Sequence, residues 1–316
     1  MHPSEPASRP TLYLIDGSAY IYRAFFALPP LTNATGMQTN AIYGFTTTLL
    51  KIIREHRPTG LAVAFDEKGP TVRHEAFAEY KAHRPPMPEA MQAQIPYIHR
   101  VVDAFQVPAL RMAGYEADDL IGTLAKKAEP AGWDVVIVTG DKDMFQLLTP
   151  RTRIYDPVKD KWSGEAECRE RFGVEPSRVV EVMGLMGDAT DNIPGVKGIG
   201  EKTAVKLIQQ FGTIEAVLAR VEEVSAPRLR TLLKEQAEQA RMSRTLATIH
   251  TDCAIDFEAQ AFHILPPEGE RVAPLLRELG FISLLKSLKL KDATADSAPL
   301  WQIVEATSER DLAAIA

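Results

Sequence analysis

Three short, largely apolar runs lie in the first half of the chain, and each is typical of a buried β-strand. They cover residues 11–15, 60–65 and 134–139. Between them, apolar positions recur at helical spacing: a helix with an aromatic face follows the first run, a second covers 41–56, and a third opens its pattern at 120–128. Strands that alternate with helices predict βαβ units and a mainly parallel sheet.

The chain changes character at Pro176, after which helical periodicity dominates. Helices are predicted over 178–186, 201–211, 228–249 and 269–290. The residues that follow are small and polar, as in a linker, and the chain then resumes as a short strand and a helix start. The expected domains are an α/β domain at 11–175, a helical region at 176–290, a linker at 291–299 and the truncated start of another domain at 300–316.

Basic and aromatic residues interleave in the segment before Pro85, which would end a helix together with Pro86 and Pro88. Such a helix would place on one side Arg73, Phe77, Tyr80 or Lys81, and Arg84. A strip of this kind can hold phosphates with its cations and stack bases on its aromatic rings. A solvated amphipathic helix explains the same pattern equally well.

Carboxylates gather at the predicted carboxyl ends of the strands, where ligands bind in parallel sheets. Each of the three runs is followed by an aspartate, and further acids open the helix after Gly114 and occupy the turn after Gly187. Because like charges repel, a shared site needs solvent, an arginine cluster or a metal ion to neutralise it. The nine acids expected there are Asp16, Asp66, Glu116, Asp118, Asp119, Asp141, Asp143, Asp188 and Asp191.

The acids identify the type of metal that such a site would take. No histidine or cysteine accompanies them in a metal-ligand pattern, and an all-oxygen site selects Mg²⁺ or Mn²⁺ over Zn²⁺. A calcium loop is excluded because the acids come from dispersed segments. Nine acids exceed the needs of one Mg²⁺ and suit a two-metal site that hydrolyses phosphodiesters.

Overall charge at first argues against a nucleic-acid partner, because the net charge is −6. Without the nine acids, however, 36 lysines and arginines face 33 remaining acidic residues, so the rest of the protein is mildly basic.

The cysteines, Cys168 and Cys253, lie far apart, which indicates a reducing, cytoplasmic compartment. No apolar run reaches the length of a membrane span, and residues 1–10 do not resemble a signal peptide.

A glycine-rich hairpin joins two of the predicted helices, with the sequence Ile193-Pro194-Gly195-Val196-Lys197-Gly198-Ile199-Gly200. Its glycines allow a close backbone approach, and the amides at the start of the next helix can bind a phosphate. Walker A and Rossmann motifs are excluded by spacing and context, whereas a helix cap without ligand remains an alternative. The candidate nucleic-acid contacts here are Gly195, Lys197, Gly198, Gly200 and Lys202.

Taken in order, these motifs resemble the N-terminal 5′ nuclease domains of bacterial DNA polymerases I, in the flap endonuclease superfamily. The similarity covers residues 11–290, and its most specific part is the run from Gly187 to Ala204. The other matching stretches are Leu14 to Ser18, Ala64 to Asp66, Phe77 to Pro88, Gly114 to Asp119, and Thr139 to Asp143. All nine acids of the family pattern are present.

The resemblance implies a PIN-like mainly parallel sheet flanked by helices, a helical arch at about 70–93 and a helix-three-turn-helix at 178–211. The arch would thread a 5′ single strand, and the helix-three-turn-helix would grip the downstream duplex. Nucleic-acid contacts in the arch would be Arg73, Tyr80, Lys81 and Arg84, and the catalytic residues would be Lys81, Arg84, Asp118 and Asp141. The implied cofactors are two Mg²⁺ ions, replaceable by Mn²⁺, with Asp141, Asp143, Asp188 and Asp191 nearer the second ion, and K⁺ at the hairpin.

The implied function is a monomeric, structure-specific 5′-3′ exonuclease and 5′-flap endonuclease. It would act on DNA with a 5′ flap, a nick or an RNA primer, without a small-molecule cofactor, during primer removal and repair as part of DNA polymerase I. Three alternatives remain: a stand-alone flap endonuclease, a PIN-type ribonuclease and a DNA-binding module that does not cut. The acids argue against the binding module, the hairpin argues against the ribonuclease, and residues after Leu300 argue against the stand-alone enzyme.

Overall fold

The computed structural model describes residues 9–288. The strands of this part are β1 Thr11–Asp16, β2 Gly60–Ala64, β3 Ala109–Leu110, β4 Asp134–Val138, β5 Thr152–Asp156 and β6 Lys161–Ser163. Its α-helices are α1 Gly17–Ala27, α2 Asn40–Lys51, α3 Val72–Ala76, α4 Glu89–Gln92, α5 Ile95–Ala104, α6 Ala117–Ala128, α7 Glu165–Phe172, α8 Pro176–Met186, α9 Glu201–Phe211, α10 Ile214–Ala219, α11 Pro227–Glu235, α12 Ala237–Ala247, α13 Gly269–Glu278 and α14 Ile282–Leu288.

The chain folds into two compact units, each assembled from separate stretches of sequence. The larger unit contains Ala64–Pro86 and Arg111–Phe257, and the smaller contains Pro10–Val63, Met87–Leu110 and the described residues from Glu258 onward. In the larger unit, α/β elements and the helices after residue 176 belong together. The contact pattern therefore does not separate the α/β and helical parts at a single point in the chain.

The smaller unit places β3, β2 and β1 side by side in that order, with α1 and α2 packed together. A β-carbon on Gly44 of α2 would lie 2.7 Å from Cβ of Ala24, so only glycine permits this helix spacing. The start of α2 is held by Gln94, whose Oε1 accepts the N–H of Ala41 at 2.9 Å. Asp16 ends β1, is 3 % exposed and caps α1 by accepting the N–H of Ala19 at 3.0 Å.

The larger unit places β4, β5 and β6 side by side. Strands β4 and β5 run parallel, from Val135 opposite Thr152 to Val138 opposite Tyr155, and β5 and β6 form an antiparallel hairpin. A 3₁₀-helix at Asp143–Leu147 follows β4 and packs against α8. This connection brings the residues after β4 next to the start of the helical region.

Helices α8 and α12 form the main packing contact of the helical region. A β-carbon on Gly184 would lie 2.7 Å from Cβ and 2.9 Å from Cα of Arg244, so the two helices meet at a glycine. Helix α8 ends at Gly187, whose φ of +73° suits glycine, and α9 begins after the hairpin. The predicted helix–hairpin–helix arrangement is confirmed at 176–211.

Three helix predictions are wrong in extent. The helix predicted through Arg84 ends at Ala76, because Phe77 adopts an extended conformation and Lys81 has a φ of +56°. The helix predicted over 228–249 is divided into α11 and α12 at Gln236, which has non-helical angles. That predicted over 269–290 is divided near Gly280, with a φ of +79°, and the residues predicted as linker and next domain lie outside the described part.

Two further differences concern the remaining elements. The predicted helix over 41–56 continues to His56, but its last turn, Ile52–His56, is a π-helix. Strands β3, β5 and β6 and helix α7 have no counterpart in the predictions made from sequence. Over residues 9–288, the chain has no helix with the length and apolar character that a membrane span requires.

Candidate functional site

The first turn of α6 builds the centre of the candidate site from sequence-local interactions. Glu116 is its N-cap, and the carboxylate of Asp119 accepts the N–H of Glu116 at 3.0 Å, which forms a capping box. Asp66, directly after β2, accepts the N–H of Ala117 at 2.8 Å. Carboxylates at a helix N-terminus interact favourably with its dipole, so the fold tolerates several of them here.

Asp119 is the one acid of the nine that is fully enclosed, with 0 % exposure. Arg73 binds it through both terminal nitrogens, at 2.7 and 2.8 Å, and the N–H of His250 donates to it at 2.8 Å. Burial alone would raise the pKa of Asp119, but Arg73 and the backbone donors hold that pKa below its ordinary value. With the N–H of Glu116, four donors therefore occupy this carboxylate.

Arg73 is not exposed to a nucleic-acid partner in this conformation. Its guanidinium is 4 % exposed and also donates to the carbonyls of Leu246, at 3.0 Å, and Thr248, at 2.9 Å. We correct two sequence-based expectations on this geometry. Arg73 anchors α3 rather than facing a phosphate, and Asp119 has no lone pair left for a metal ion.

Glu116 and Asp191 form a second group, joined by residues of the segment 79–84. The ammonium of Lys81 lies 2.8 Å from Glu116 and 3.8 Å from Asp191, and the hydroxyl of Tyr80 lies 3.1 and 3.2 Å from the same carboxylates. Arg84 contacts Asp191 at 2.5 Å. Burial alone would lower the pKa of Lys81, but Glu116 and Asp191 raise it above its ordinary value.

Tyr80 faces the protein interior, contrary to the expectation that it stacks on a base. The side chain is 3 % exposed, and burial together with Glu116 and Asp191 raises the pKa of its hydroxyl. The backbone around it is also fixed, because the N–H of Lys81 donates to the carbonyl of Asp191 at 2.9 Å and the side chain of Asn192 donates to the carbonyl of Glu79 at 2.6 Å. The segment 79–84 is thus a turn docked on the acids.

Asp143 and Asp188 form a third group, bridged by Lys142. The ammonium of Lys142 lies 3.4 Å from Asp143 and is hydrogen-bonded to Asp188. Burial, followed by the charge of Asp141, raises the pKa of Asp143 to about 7, with Asp188 and Asp191 adding to the effect. Burial would raise the pKa of Asp188 as well, but Lys142 holds it below its ordinary value.

Lys142 was absent from the residues predicted for the site. The sequence signal was available, because this lysine stands between two aspartates directly after a strand. Asp141 is exposed and Asp118 is half-buried in the first turn of α6. Eight of the nine acids belong to the larger unit, and Asp16 belongs to the smaller one.

The donor set fits hard divalent ions, although the described residues contain no group of three histidine, cysteine, aspartate or glutamate side chains close enough to hold a metal. Side-chain cations lie against the carboxylates instead: Lys81 on Glu116 and Lys142 on Asp188. Oδ1 of Asp143 is buried and accepts no hydrogen bond within the described residues, although the ammonium of Lys142 lies 3.4 Å from it. A buried, crowded carboxylate of this kind is one that a divalent cation would stabilise.

The hairpin presents part of its backbone to solvent. Gly198 and Gly200 are exposed, and neither N–H donates a hydrogen bond within the described part of the chain. The N–H of Lys197 is already used, because Oε1 of Gln236 accepts it at 2.7 Å. Gly195 is buried, and a β-carbon there would lie 2.3 Å from the nitrogen of Gly187. The free amides therefore lie at the α9 end of the hairpin.

Two family models match consecutive parts of the chain. The N-terminal resolvase-like domain of 5′-3′ exonucleases matches residues 11–173, and the C-terminal SAM fold of 5′-3′ exonucleases matches residues 174–270. Among solved structures, a T5 5′-exonuclease mutant superposes with a TM-score of 0.62 at 20% identity, over 88% of this chain and 99% of the other. The catalytic core of Rad2 with DNA substrate superposes with a TM-score of 0.56 at 17% identity, over 86% and 89%. At this identity the likeness shows the fold.

Two relatives found by sequence comparison have a higher identity to this chain than those solved structures. DNA polymerase I of Bacillus caldotenax is 42% identical over 95% of this chain, and the chain spans 34% of that protein. The 5′-3′ exonuclease of Aquifex aeolicus is 37% identical over 88% of this chain, and the match spans 95% of that protein. The expected family and the expected α/β fold with a helical second part are confirmed by these matches. The chain belongs to the 5′-3′ exonuclease family.

Proposed function

We propose that this protein is a Mg²⁺-dependent, structure-specific nuclease that hydrolyses phosphodiesters at 5′ flaps and nicks in DNA, including RNA primers. The observation that carries the proposal is the crowded carboxylate of Asp143: burial first, and then the charges of Asp141, Asp188 and Asp191, raise its pKa to about 7 although Lys142 lies 3.4 Å away. This crowding destabilises the protein unless a cation offsets it. Divalent ions are the cations that such an oxygen-only site selects.

Two ions are proposed, with Mn²⁺ as a substitute. The residues that would hold them are Asp16, Asp66, Glu116, Asp118, Asp141, Asp143, Asp188 and Asp191. When bound, such ions activate water and stabilise the charge on the attacking and leaving oxygens. Asp119 is left out because four donors occupy its oxygens.

Lys81 and Arg84 are proposed to hold the scissile phosphate. They lie on Glu116 and Asp191, so both cations are already at the carboxylates where the reaction would occur. Cations placed at developing negative charge lower the activation barrier most when water is excluded. Lys81 is well placed for this role because its side chain is only 19% exposed.

The exposed amides of Gly198 and Gly200, together with the start of α9, are proposed to bind a phosphate of the downstream duplex. Lys197 and Lys202 are exposed beside them. Backbone amides and lysines would contact phosphates and not bases, so binding at the hairpin would be independent of the DNA sequence. K⁺ at the hairpin remains part of the proposal.

The wider role depends on the full-length protein. The chain spans about a third of the DNA polymerase I relatives, which supports a role in primer removal and repair as the N-terminal part of such a polymerase. The Aquifex aeolicus relative supports a second candidate, a separate 5′-3′ exonuclease of nearly this length. Cytoplasmic location and a monomeric state are proposed with either form.

The test is cleavage of a 5′-labelled flap duplex by the wild-type chain and by Asp141→Ala, with Mg²⁺ or with EDTA. We expect cleavage by the wild type with Mg²⁺ alone, and loss of cleavage with retained DNA binding in Asp141→Ala. Glu170→Gln is the matched control, because Glu170 is an exposed acid on α7. Binding without cleavage by the wild type would establish the DNA-binding module instead, and cleavage restricted to RNA would establish a PIN-type ribonuclease.

A further inference from the structure

Three polar side chains form a stripe on the first two turns of α12. Gln236 stands at its N-cap, and Gln239 and Ser243 follow at intervals of three and four positions. Residues at this spacing share one face of a helix. Within the larger unit, this face of α12 is turned toward the hairpin 193–200.

The stripe binds the hairpin backbone directly. Gln236 accepts the N–H of Lys197 at 2.7 Å and donates to its carbonyl at 3.4 Å. Gln239 donates to the carbonyl of Gly195 at 2.6 Å, and the hydroxyl of Ser243 accepts the N–H of Gly195 at 3.0 Å. Both polar backbone groups of two hairpin residues are therefore held by side chains of another helix.

These bonds fix a conformation that the hairpin could not hold by local interactions alone. Gly195 has a φ of +59° and is buried against Gly187, so its backbone groups would lose hydrogen bonds to water without gaining others. Gly198 also lies close to α11, because a β-carbon on it would be 3.1 Å from the side chain of Leu232. The hydrogen bonds from α12 thus fix the hairpin, and the exposed amides of Gly198 and Gly200 have a defined direction.

We propose that Gln236, Gln239 and Ser243 are positioning residues that preset the hairpin to receive a backbone phosphate of duplex nucleic acid. The inference rests on the proposed function, since it assigns the rigidity of the phosphate grip to α12. A preset hairpin loses little conformational entropy when the phosphate binds, and this increases affinity. Removing the stripe should therefore weaken binding without altering the carboxylate site.

The experiment compares the double variant Gln236→Ala/Gln239→Ala with Gln209→Ala in the full chain. Gln209 is a matched control, because its amide also donates to a glycine carbonyl, that of Gly173, at 2.7 Å. Affinity for a fluorescent 5′-flap duplex is measured in EDTA across a salt series, and amide hydrogen exchange is measured over 193–200. If the double variant does not fold, Gln236→Ala alone is used.

We expect the double variant to bind flap DNA about tenfold more weakly, because it loses the three side chain–backbone hydrogen bonds that Gln236 and Gln239 make to the hairpin. The slope of log affinity against log salt concentration should become shallower by the amount expected for about one lost phosphate contact. Amide hydrogen exchange over residues 193–200 should accelerate. Single-turnover cleavage at saturating enzyme and Mg²⁺ should stay within about twofold of the wild type, and Gln209→Ala should match the wild type throughout.

Two results would overturn the inference. Wild-type affinity and salt dependence in a double variant with accelerated exchange would mean that hairpin rigidity does not matter to binding. An equal loss of affinity in Gln209→Ala would mean that the effect is not local to the hairpin. A wild-type chain that neither binds nor cleaves flap DNA would instead refute the proposed function, and the two failures are distinguishable on that basis.

Discussion

The buried ion pair between Arg73 and Asp119 gives the sharpest prediction, because sequence and structure assign Arg73 different roles. A phosphate contact on a solvated helix could be removed at little cost to stability. A guanidinium that is 4 % exposed and makes four hydrogen bonds could not. We expect Arg73→Met to destabilise the fold strongly.

The magnitude follows from what the substitution leaves behind. Methionine approximates the volume of the stem but leaves the carboxylate of Asp119, with 0 % exposure, without a cation. The carbonyls of Leu246 and Thr248 also lose a donor. Breaking a buried pair in this way costs about 3–5 kcal/mol. The double variant Arg73→Met/Asp119→Asn should recover part of that loss, because no unpaired charge remains.

Arg84→Met is the matched control. Arg84 also pairs with an aspartate, Asp191 at 2.5 Å, but its side chain is 47% exposed, and exposed pairs contribute about 0–1 kcal/mol. The pKa of Asp119 is held below its ordinary value of 3.8, so its pair stabilises the fold above that pH and loses the effect as pH falls. The difference between wild type and Arg73→Met should therefore shrink on acidification.

The assay is urea unfolding in EDTA, followed by circular dichroism at pH 7 and pH 3, with flap-DNA affinity measured in parallel. Equal stability losses in Arg73→Met and Arg84→Met, together with weaker DNA binding by Arg73→Met, would refute the reasoning. That outcome would return Arg73 to the role that its sequence context suggests, a phosphate contact in the arch.

Three further predictions concern single positions. In EDTA the wild type should lose stability as pH rises from about 4 to about 7, because the folded-state pKa of Asp143 is raised to about 7 and its ionisation then opposes folding. Melting scans of Asp143→Asn should lack that slope. Lys81→Met should slow single-turnover cleavage of a 5′-flap duplex with Mg²⁺ by about 10²-fold, and an unchanged rate would count against its role at the phosphate. Gly195→Ala should destabilise by more than about 2 kcal/mol in thermal melts, because the new Cβ would lie 2.3 Å from a backbone nitrogen, whereas Gly132→Ala, at a φ of +95° in open space, should cost only about 1 kcal/mol.

Several structural elements were predictable because their causes are local. The runs that became β1, β2 and β4 are almost wholly buried, and a continuous apolar run is the direct trace of a strand covered on both faces. The hairpin at 193–200 was predictable because its closely spaced glycines mark a turn between two helices without any tertiary information. Elements without such a trace were missed: β3 has two residues, and β5 includes an exposed arginine, Arg153.

The segment 77–84 could not be predicted because a distant residue fixes its backbone. Its helical spacing is real, but the N–H of Lys81 donates to Asp191 instead of to the preceding turn. A tertiary hydrogen bond of this kind overrides helix propensity, which amounts to less than about 1 kcal/mol per residue. Tyr80 is buried for the same reason.

The sequence by itself determined which residue types meet at the candidate site, because oxygen ligands after apolar strands are a local pattern. Only the tertiary structure decided how those charges are paired. Arg73 and Asp119 are 46 positions apart, and Lys142 and Asp188 are also 46 apart, so nothing local distinguishes the acid that anchors a helix from the acids left for an ion. Electrostatic energy depends on distance and burial, and both are set only when the chain has folded.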